Sequence, residues 1–473
     1  MEILTNESKL EEQLLLIVKL FYNKNSIDNL KLKITHTSSI NDNFLKSQIW
    51  VEFKKRKFFK ERIDECDFSI KSKYHYIEKY AKILLYQTLS KITRKKAPWG
   101  ALTGIRPSKL FNDLVKQYNN DINKVNEIFK NTYLVSDNRI KLLNMIYNQQ
   151  NEKLENNSDN LLDFYVNIPF CVSKCYYCSF LSAVVDKAKH LIQPYVDKLI
   201  YEITKTLEFI KMKKFVIRNV YIGGGTPTAI PLDFLEKILK LFPNNISEFT
   251  VEAGRPDTIT EDTFKVFKKY GVTRISINPQ TFNNKTLKAI GRKHTAEDCV
   301  EKFKIAQKYG FIINMDLIAG LSGEKFKDFK FSLNKAISLN PNNITVHTLC
   351  YKRTSNLNLI GGSTSSDKET EKMVSYSIKK LLKNKYYPYY LYKQKNTLAN
   401  LENIGYCRDN QICRFNINSM EETSSIIACG ANGISKRLFI NENRIERFAN
   451  VKNIEEYINR IDEMIDKKFN LFN

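Results

Sequence analysis

Between residues 161 and about 350, six short apolar runs alternate with stretches of helical periodicity, and few folds accept that order. The runs lie at 164–168, 216–222, 249–251, 274–277, 312–318 and 344–346. After the first, Tyr195, Val196, Leu199, Ile200, Ile203 and Leu207 recur at the spacing of one helix face. Thr260 can cap a helix that stops at Gly271. Thr295 and Asp298 have the spacing of a capping box, and their helix stops at Gly310. Six strands separated by helices predict a parallel sheet, closed or partly closed as a barrel. Right-handed crossovers then bring every strand's C-terminal end to one rim, where barrel enzymes carry their chemistry.

Directly after the first run stands Cys171-x3-Cys175-x2-Cys178. With nine cysteines in 473 residues, the chance that one has others at +4 and +7 is about 0.003, from 9 × (9/473)², so coincidence explains it poorly. Three thiolates in so short a loop grip three irons of a cubane, whereas zinc would want a fourth Cys or His nearby. The open fourth iron would chelate the amino and carboxylate groups of S-adenosylmethionine. An electron from the reduced cluster would then split a carbon–sulfur bond and release a 5′-deoxyadenosyl radical. This CxxxCxxC spacing resembles the radical SAM superfamily. Other candidate residues also fall at strand ends. Gly223, Gly224, Gly225, Thr226 and Pro227 close the second strand, where glycines let backbone approach a ligand. Glu252 ends the third and could accept ribose hydroxyls; Gln280 follows the fourth, and Asp316 lies in the fifth.

The resemblance narrows further. Phe164 to Cys171 (FYVNIPFC), Cys175-Tyr176-Tyr177-Cys178, Gly223 to Thr228 (GGGTPT) and the series Glu252, Gln280, Arg292, Asp316 resemble the oxygen-independent coproporphyrinogen III oxidase family, from about 161 to 470. Pro98 to Pro107 (PWGALTGIRP) and Leu401 to Tyr406 (LENIGY) resemble its coproporphyrinogen dehydrogenase branch, which adds an N-terminal domain. The resemblance implies one 4Fe–4S cluster on Cys171, Cys175 and Cys178. It implies S-adenosylmethionine, one molecule or two, held by Tyr165, Gly224, Gly225, Thr226, Glu252, Gln280, Arg292 and Asp316, with Cys350 and Ile434 as additions. No catalytic side chain is assigned, because the radical forms at the bound cofactor. The implied reaction, part of haem biosynthesis, converts coproporphyrinogen III to protoporphyrinogen IX. At each of two propionates the adenosyl radical would take a hydrogen atom from the β-carbon, CO₂ would leave, one electron would pass to an acceptor, and a vinyl group would remain. The expected partners are this tetrapyrrole and an electron donor such as flavodoxin or ferredoxin. Arg292 and Arg106 are candidates to meet the substrate's four carboxylates, because guanidinium pairs with carboxylate bidentately.

Two residues depart from the family's decarboxylases. Their additional cysteine, two positions after the third, is Phe180 here, and their usual His is Asn167. Phe at the former position also fits the related haem chaperones, so a haem-handling protein is the first alternative. The chaperones' HNxxYW stretch reads Glu402-Asn403-Ile404-Gly405-Tyr406-Cys407 here, with Glu for His and Cys for Trp; His294 and His347 are the other candidate haem ligands. Radical SAM modification of RNA is the second alternative. A net charge of +24 and Phe53, Phe58 and Phe59 among basic residues favour it. The first 160 residues show no recognised RNA-binding motif, so nucleic acid is not the expected partner.

The expected fold class is α/β: a partial (β/α)6 TIM-like radical SAM barrel with α+β domains on either side. The boundaries are 1–155 for an N-terminal accessory domain, 161–355 for the barrel and 356–473 for a domain closing its mouth. The polar stretch 149–160 reads as a linker between the first two. An amphipathic helix is expected at 454–465. Cys66, Cys299, Cys407, Cys413 and Cys429 read as isolated buried thiols, the alternative being an auxiliary cluster on Cys407, Cys413 and Cys429. No apolar run reaches the ~18 residues that span a bilayer, and the start of the chain is acidic. A cytoplasmic monomer is expected.

Overall fold

The computed structural model describes residues 1–22, 27, 29–69, 71–104, 106–151, 158–178, 182–350, 365–394, 397–440, 442 and 444–473. They form two compact units, Met1–Asn144 with Ala399–Leu401, and Met145–Leu398 with Glu402–Asn473. Most of the polar stretch read as a linker, 152–157, lies outside the described residues, as do Ile105 and Phe180.

In the first unit, β1 (Glu2–Thr5), β2 (Leu32–Asn41), β3 (Phe44–Phe53) and β4 (Arg56–Glu65) form one sheet in that order. β1 is parallel to β2, and the other pairs are antiparallel. The two-residue period puts Ile34, Leu45, Ile49 and Val51 on the buried face. The helix Lys73–Thr93 packs on β3, and Leu10–Val18 packs on that helix. The unit is thus α+β.

The second unit carries the alternation. β5 (Leu161–Ile168) is followed by β6 (Phe170–Cys171) and β7 (Ala183–Val184), which pair with each other. Then come β8 (Val216–Gly224), β9 (Glu248–Val251), β10 (Arg274–Ser276), β11 (Ile312–Ala319) and β12 (Asn343–Thr348). Strands β5 and β8 to β12 lie side by side in chain order, all parallel. β9 and β10 are buried at every residue, which is why they read as continuous apolar runs rather than as alternation. The helices between them end where the sequence says. Thr295 N donates to Asp298 Oδ2 (2.7 Å) and Asp298 N to Thr295 Oγ1 (3.2 Å), so Asp serves the capping box as Glu does. Gly271 and Gly310 sit at φ +73° and +68° just past the two helices.

After the barrel the chain extends both edges of the same sheet. β13 (Tyr387–Lys393) and β14 (Glu402–Cys407) add antiparallel strands beyond β12. On the other edge β15 (Ser425–Cys429) runs parallel to β5, followed by antiparallel β16 (Ile434–Phe439) and β17 (Arg444–Ala449). Among the described residues this makes an eleven-stranded sheet ending at β13 and β17, so the barrel is partial. The C-terminal helix read at 454–465 is two helices, Ile454–Asn459 and Ile461–Phe472. Arg460, at φ −116°, breaks them. The break turns Ile461, Met464, Ile465, Lys468 and Phe472 inward together. No helix among the described residues is long and apolar enough to cross a membrane.

Candidate active site

The C-terminal ends of the parallel strands open onto one cavity of about 360 Å³. Its floor is two loops zipped together. Gly225 N donates to Ile168 O (2.9 Å) and Thr226 N to Phe170 O (2.7 Å), while Thr226 Oγ1 lies 3.4 Å from Cys171 Sγ. Glycine is required here. Gly224 sits at φ +113°, and a Cβ on it would lie 2.4 Å from Asn167 Oδ1. At Gly225 a Cβ would lie 2.5 Å from Phe170 O and 3.0 Å from Cys171 Sγ.

Cys171, Cys175 and Cys178 all line this cavity. Their loop is held from below, with Tyr176 N donating to Ile290 O (3.2 Å) and Ser173 Oγ to Gly291 O (3.0 Å). No three His, Cys, Asp or Glu side chains among the described residues are grouped tightly enough to share one metal ion.

The polar wall comes from the next strands. Glu252 follows β9, its N–H donating to Ile222 O (2.9 Å), and it accepts a 2.6 Å hydrogen bond from the Tyr221 phenol. Burial pushes its carboxyl up to about 7; the Tyr221 bond opposes the rise and the charge of Asp316 adds to it. For Asp316 burial works the same way but is outweighed. His347 Nε2 lies 3.5 Å from Oδ2 and Asn314 Nδ2 donates to Oδ1 (2.7 Å), so this carboxyl sits below its ordinary range. Gln280, in the left-handed region at φ 64°, bridges to β11 through Asp316 O and Ile318 N (2.9 and 3.0 Å). Arg292 donates to Gly254 O, Asn278 O and the Tyr177 phenol. Among the described residues, three buried polar atoms on lining residues lack a hydrogen-bond partner: Gln280 Oε1, Arg292 Nε and Ser276 Oγ. Buried polar groups are normally satisfied, so these fit a polar ligand in the cavity.

Seven of the eight residues that the resemblance assigned to the cofactor therefore line one cavity. Tyr165 does not. Its ring lies behind, stacked on Tyr221 and Phe415 at 6.2 and 6.0 Å, with its phenol donating to Asn167 Oδ1 (3.0 Å). Cys350 lines the cavity, whereas Ile434 begins β16, half exposed. His347 is on the wall; His294 is buried elsewhere, 3.5 Å from Asp257. Cys413 faces Glu248, whereas Cys429 faces Lys468 and Thr206, so these two cysteines do not share a site. Sequence reasoning missed Tyr221, Asn314, Tyr390 and Tyr392. The available signal was period two: Asn314 shares a face with Asp316, Tyr221 with Gly223, and Tyr390 with Tyr392.

The description "Radical SAM superfamily" matches residues 165–336. Over 402 residues the chain is 39% identical to "Oxygen-independent coproporphyrinogen-III oxidase-like protein HemZ" of Bacillus subtilis, covering 82% of this chain and 79% of that one. It is 33% identical over 192 residues to "Heme chaperone HemW" of the same organism, covering 39% and 49%. In three dimensions it resembles the Escherichia coli coproporphyrinogen III oxidase HemN, described as a radical SAM enzyme, at a TM-score of 0.52. That likeness has 21% identity and covers 64% of this chain and 70% of the other, which speaks for the fold. The chain belongs to the radical SAM superfamily, in its oxygen-independent coproporphyrinogen III oxidase-like family.

Proposed function

We propose that this protein holds one 4Fe–4S cluster on Cys171, Cys175 and Cys178, binds S-adenosylmethionine beside it, and converts coproporphyrinogen III to protoporphyrinogen IX. The observation that carries this reading is the convergence of three thiols, a glycine turn and unsatisfied polar atoms on one cavity. A cluster held there would supply, when reduced, the electron for reductive cleavage of the cofactor. The chain's own residues bind and orient. Gly224 and Gly225 offer bare backbone, Glu252 a carboxylate for ribose hydroxyls, and Gln280, Arg292 and Asp316 further polar contacts. Residues 356–473 act as the domain that closes the mouth: the stacked rings of Tyr390 and Tyr392 (6.3 Å apart), with Asn416 and Met420, line the cavity from that segment. Flat apolar surface there suits a macrocycle, and Lys174 and His347 on the wall suit its carboxylates. The protein would work in the cytoplasm as a monomer, supplied with electrons by flavodoxin or ferredoxin.

The test is anaerobic turnover of the reconstituted protein with reductant, S-adenosylmethionine and coproporphyrinogen III, followed by mass spectrometry. Loss of two CO₂ coupled to 5′-deoxyadenosine supports the decarboxylase. Deoxyadenosine with unchanged porphyrinogen rejects that substrate and favours haem handling, the reading that the chaperone relatives suggest. Glu402, at the sequence position that matches the chaperones' histidine, is fully buried. It therefore offers haem no ligand, and haem binding would have to use other residues.

Two further results are expected. Gly225→Ala forces a Cβ against backbone and Cys171. Overpacking of this kind costs about 1–3 kcal/mol, so affinity for S-adenosylmethionine should fall about tenfold in calorimetry. Glu252 should make that affinity pH-dependent. Because its carboxyl titrates near 7 in the free protein, ligand that requires the carboxylate must displace a proton at lower pH. Affinity should rise about tenfold per unit up to about pH 7 and then level off, and Glu252→Gln should flatten the profile. The same linkage makes this group's contribution to folding fall as pH rises from its ordinary 4.5 to about 7, since the folded state holds the proton more tightly.

A further inference from the structure

Arg255 is 3% exposed beside the cysteine loop, and no sequence motif accounts for it. It follows Gly254 and leads into the short turn Pro256–Thr258. One side of its guanidinium is taken by Asp257, with Nε to Oδ1 at 3.1 Å and Nη2 to Oδ2 at 2.9 Å. The remaining nitrogen points the other way. Nη1 donates to Ser173 Oγ (2.8 Å) and Ser173 O (3.3 Å) and lies 3.9 Å from Cys175 Sγ. Cys175 is itself buried, so little water screens the pair. Asp257 is the nearby counterweight. Burial disfavours its charge, but His294 and Arg255 outweigh that and hold it well below the ordinary carboxylate range.

We propose that Arg255 sets the reduction potential of the iron–sulfur cluster through Cys175, by presenting an N–H donor and a positive charge to that sulfur. The inference rests on placing the cluster on the three cysteines. Reduction adds negative charge to the cluster and its sulfurs. A donor and a cation beside one sulfur favour the reduced state and raise the potential. Arg255 is a positioning residue, because it acts through Cys175 rather than on the substrate. Asp257 tempers it, so the two side chains pull the potential in opposite directions.

Spectroelectrochemical titration of the reconstituted cluster, without S-adenosylmethionine, separates this role from simple support of the loop. At the wild-type midpoint, Arg255→Gln should lower the ratio of reduced to oxidised cluster about tenfold, which is 59 mV for one electron. Asp257→Asn should raise the ratio, and Arg255→Lys should restore most of the loss. Should Arg255→Gln fail to assemble a cluster, Asp257→Asn and Arg255→Lys still decide by the direction of their shifts. Unchanged potentials at full iron content, or a fall in both Arg255→Gln and Asp257→Asn, overturn the proposal. Failure of the underlying reading is visible separately, as wild-type protein without a four-iron cluster or a cluster that survives Cys175→Ala.

Discussion

Cys175→Ala protein, reconstituted anaerobically, is expected to lose nearly all cluster iron, from about four per chain toward zero, with the broad visible absorption of the cluster. The cause is arithmetic as much as bonding. In the proposed centre three thiolates are the whole protein ligand set, and the loop itself supplies no fourth Cys or His. Cys350, the other cysteine on the cavity wall, lies just beyond β12 rather than in the loop. Production of 5′-deoxyadenosine should fall below detection with the iron. Cys413→Ala and Cys429→Ala should leave the iron count unchanged, because those thiols face Glu248 and Lys468 in separate parts of the core. Iron analysis of the three variants, with a deoxyadenosine assay of Cys175→Ala, checks these expectations.

Lys468→Met should destabilise the second unit by about 3–5 kcal/mol, the cost of leaving a buried charge without its partner. Lys468 and Glu202 are both fully buried, with Nζ 2.5 Å from Oε1. The Glu202 carboxylate also accepts from Gly430 N (2.7 Å), Asn450 Nδ2 (2.9 Å) and the Tyr457 phenol (2.5 Å). One carboxylate thus ties the helix Val185–Met212 to the last helix of the chain and to the turn after β15. That turn reaches the site. Ala431 O accepts from Asn167 Nδ2 (2.6 Å), and Asn167 lies against Gly224. Urea unfolding of Lys468→Met should show the loss. The double variant Glu202→Gln/Lys468→Met should recover much of it, because no bare charge remains.

The six parallel strands were legible because sheets covered on both faces write apolar runs, and the helices between them carry their caps and stops in plain form at Thr260, Thr295, Gly271 and Gly310. The cysteine loop was legible from spacing alone. The glycine turn, Glu252, Gln280 and Asp316 could be placed at strand ends, but their assignment to a cofactor came from family resemblance. The C-terminal strands were not legible. β15 leaves chain order to pair with β5, and β13 carries tyrosine on both faces, so period two groups Tyr390 with Tyr392 without saying which face meets the cavity. The Glu202–Lys468 pair was not legible either, since only the packing of two distant helices reveals that each is the other's counterion. Tyr165, assigned to the cofactor by resemblance, stacks on Tyr221 and Phe415 and is not among the cavity-lining residues. Arg255 was invisible for a similar reason: its partner thiol belongs to a loop some eighty residues earlier in the chain.

The most direct test of the account is the formation of 5′-deoxyadenosine by the reconstituted protein from S-adenosylmethionine and a strong reductant, without oxygen or tetrapyrrole. Deoxyadenosine should form only with reductant and be absent from Cys171→Ala, Cys175→Ala and Cys178→Ala. A protein with its full complement of cluster iron that leaves S-adenosylmethionine intact would contradict it.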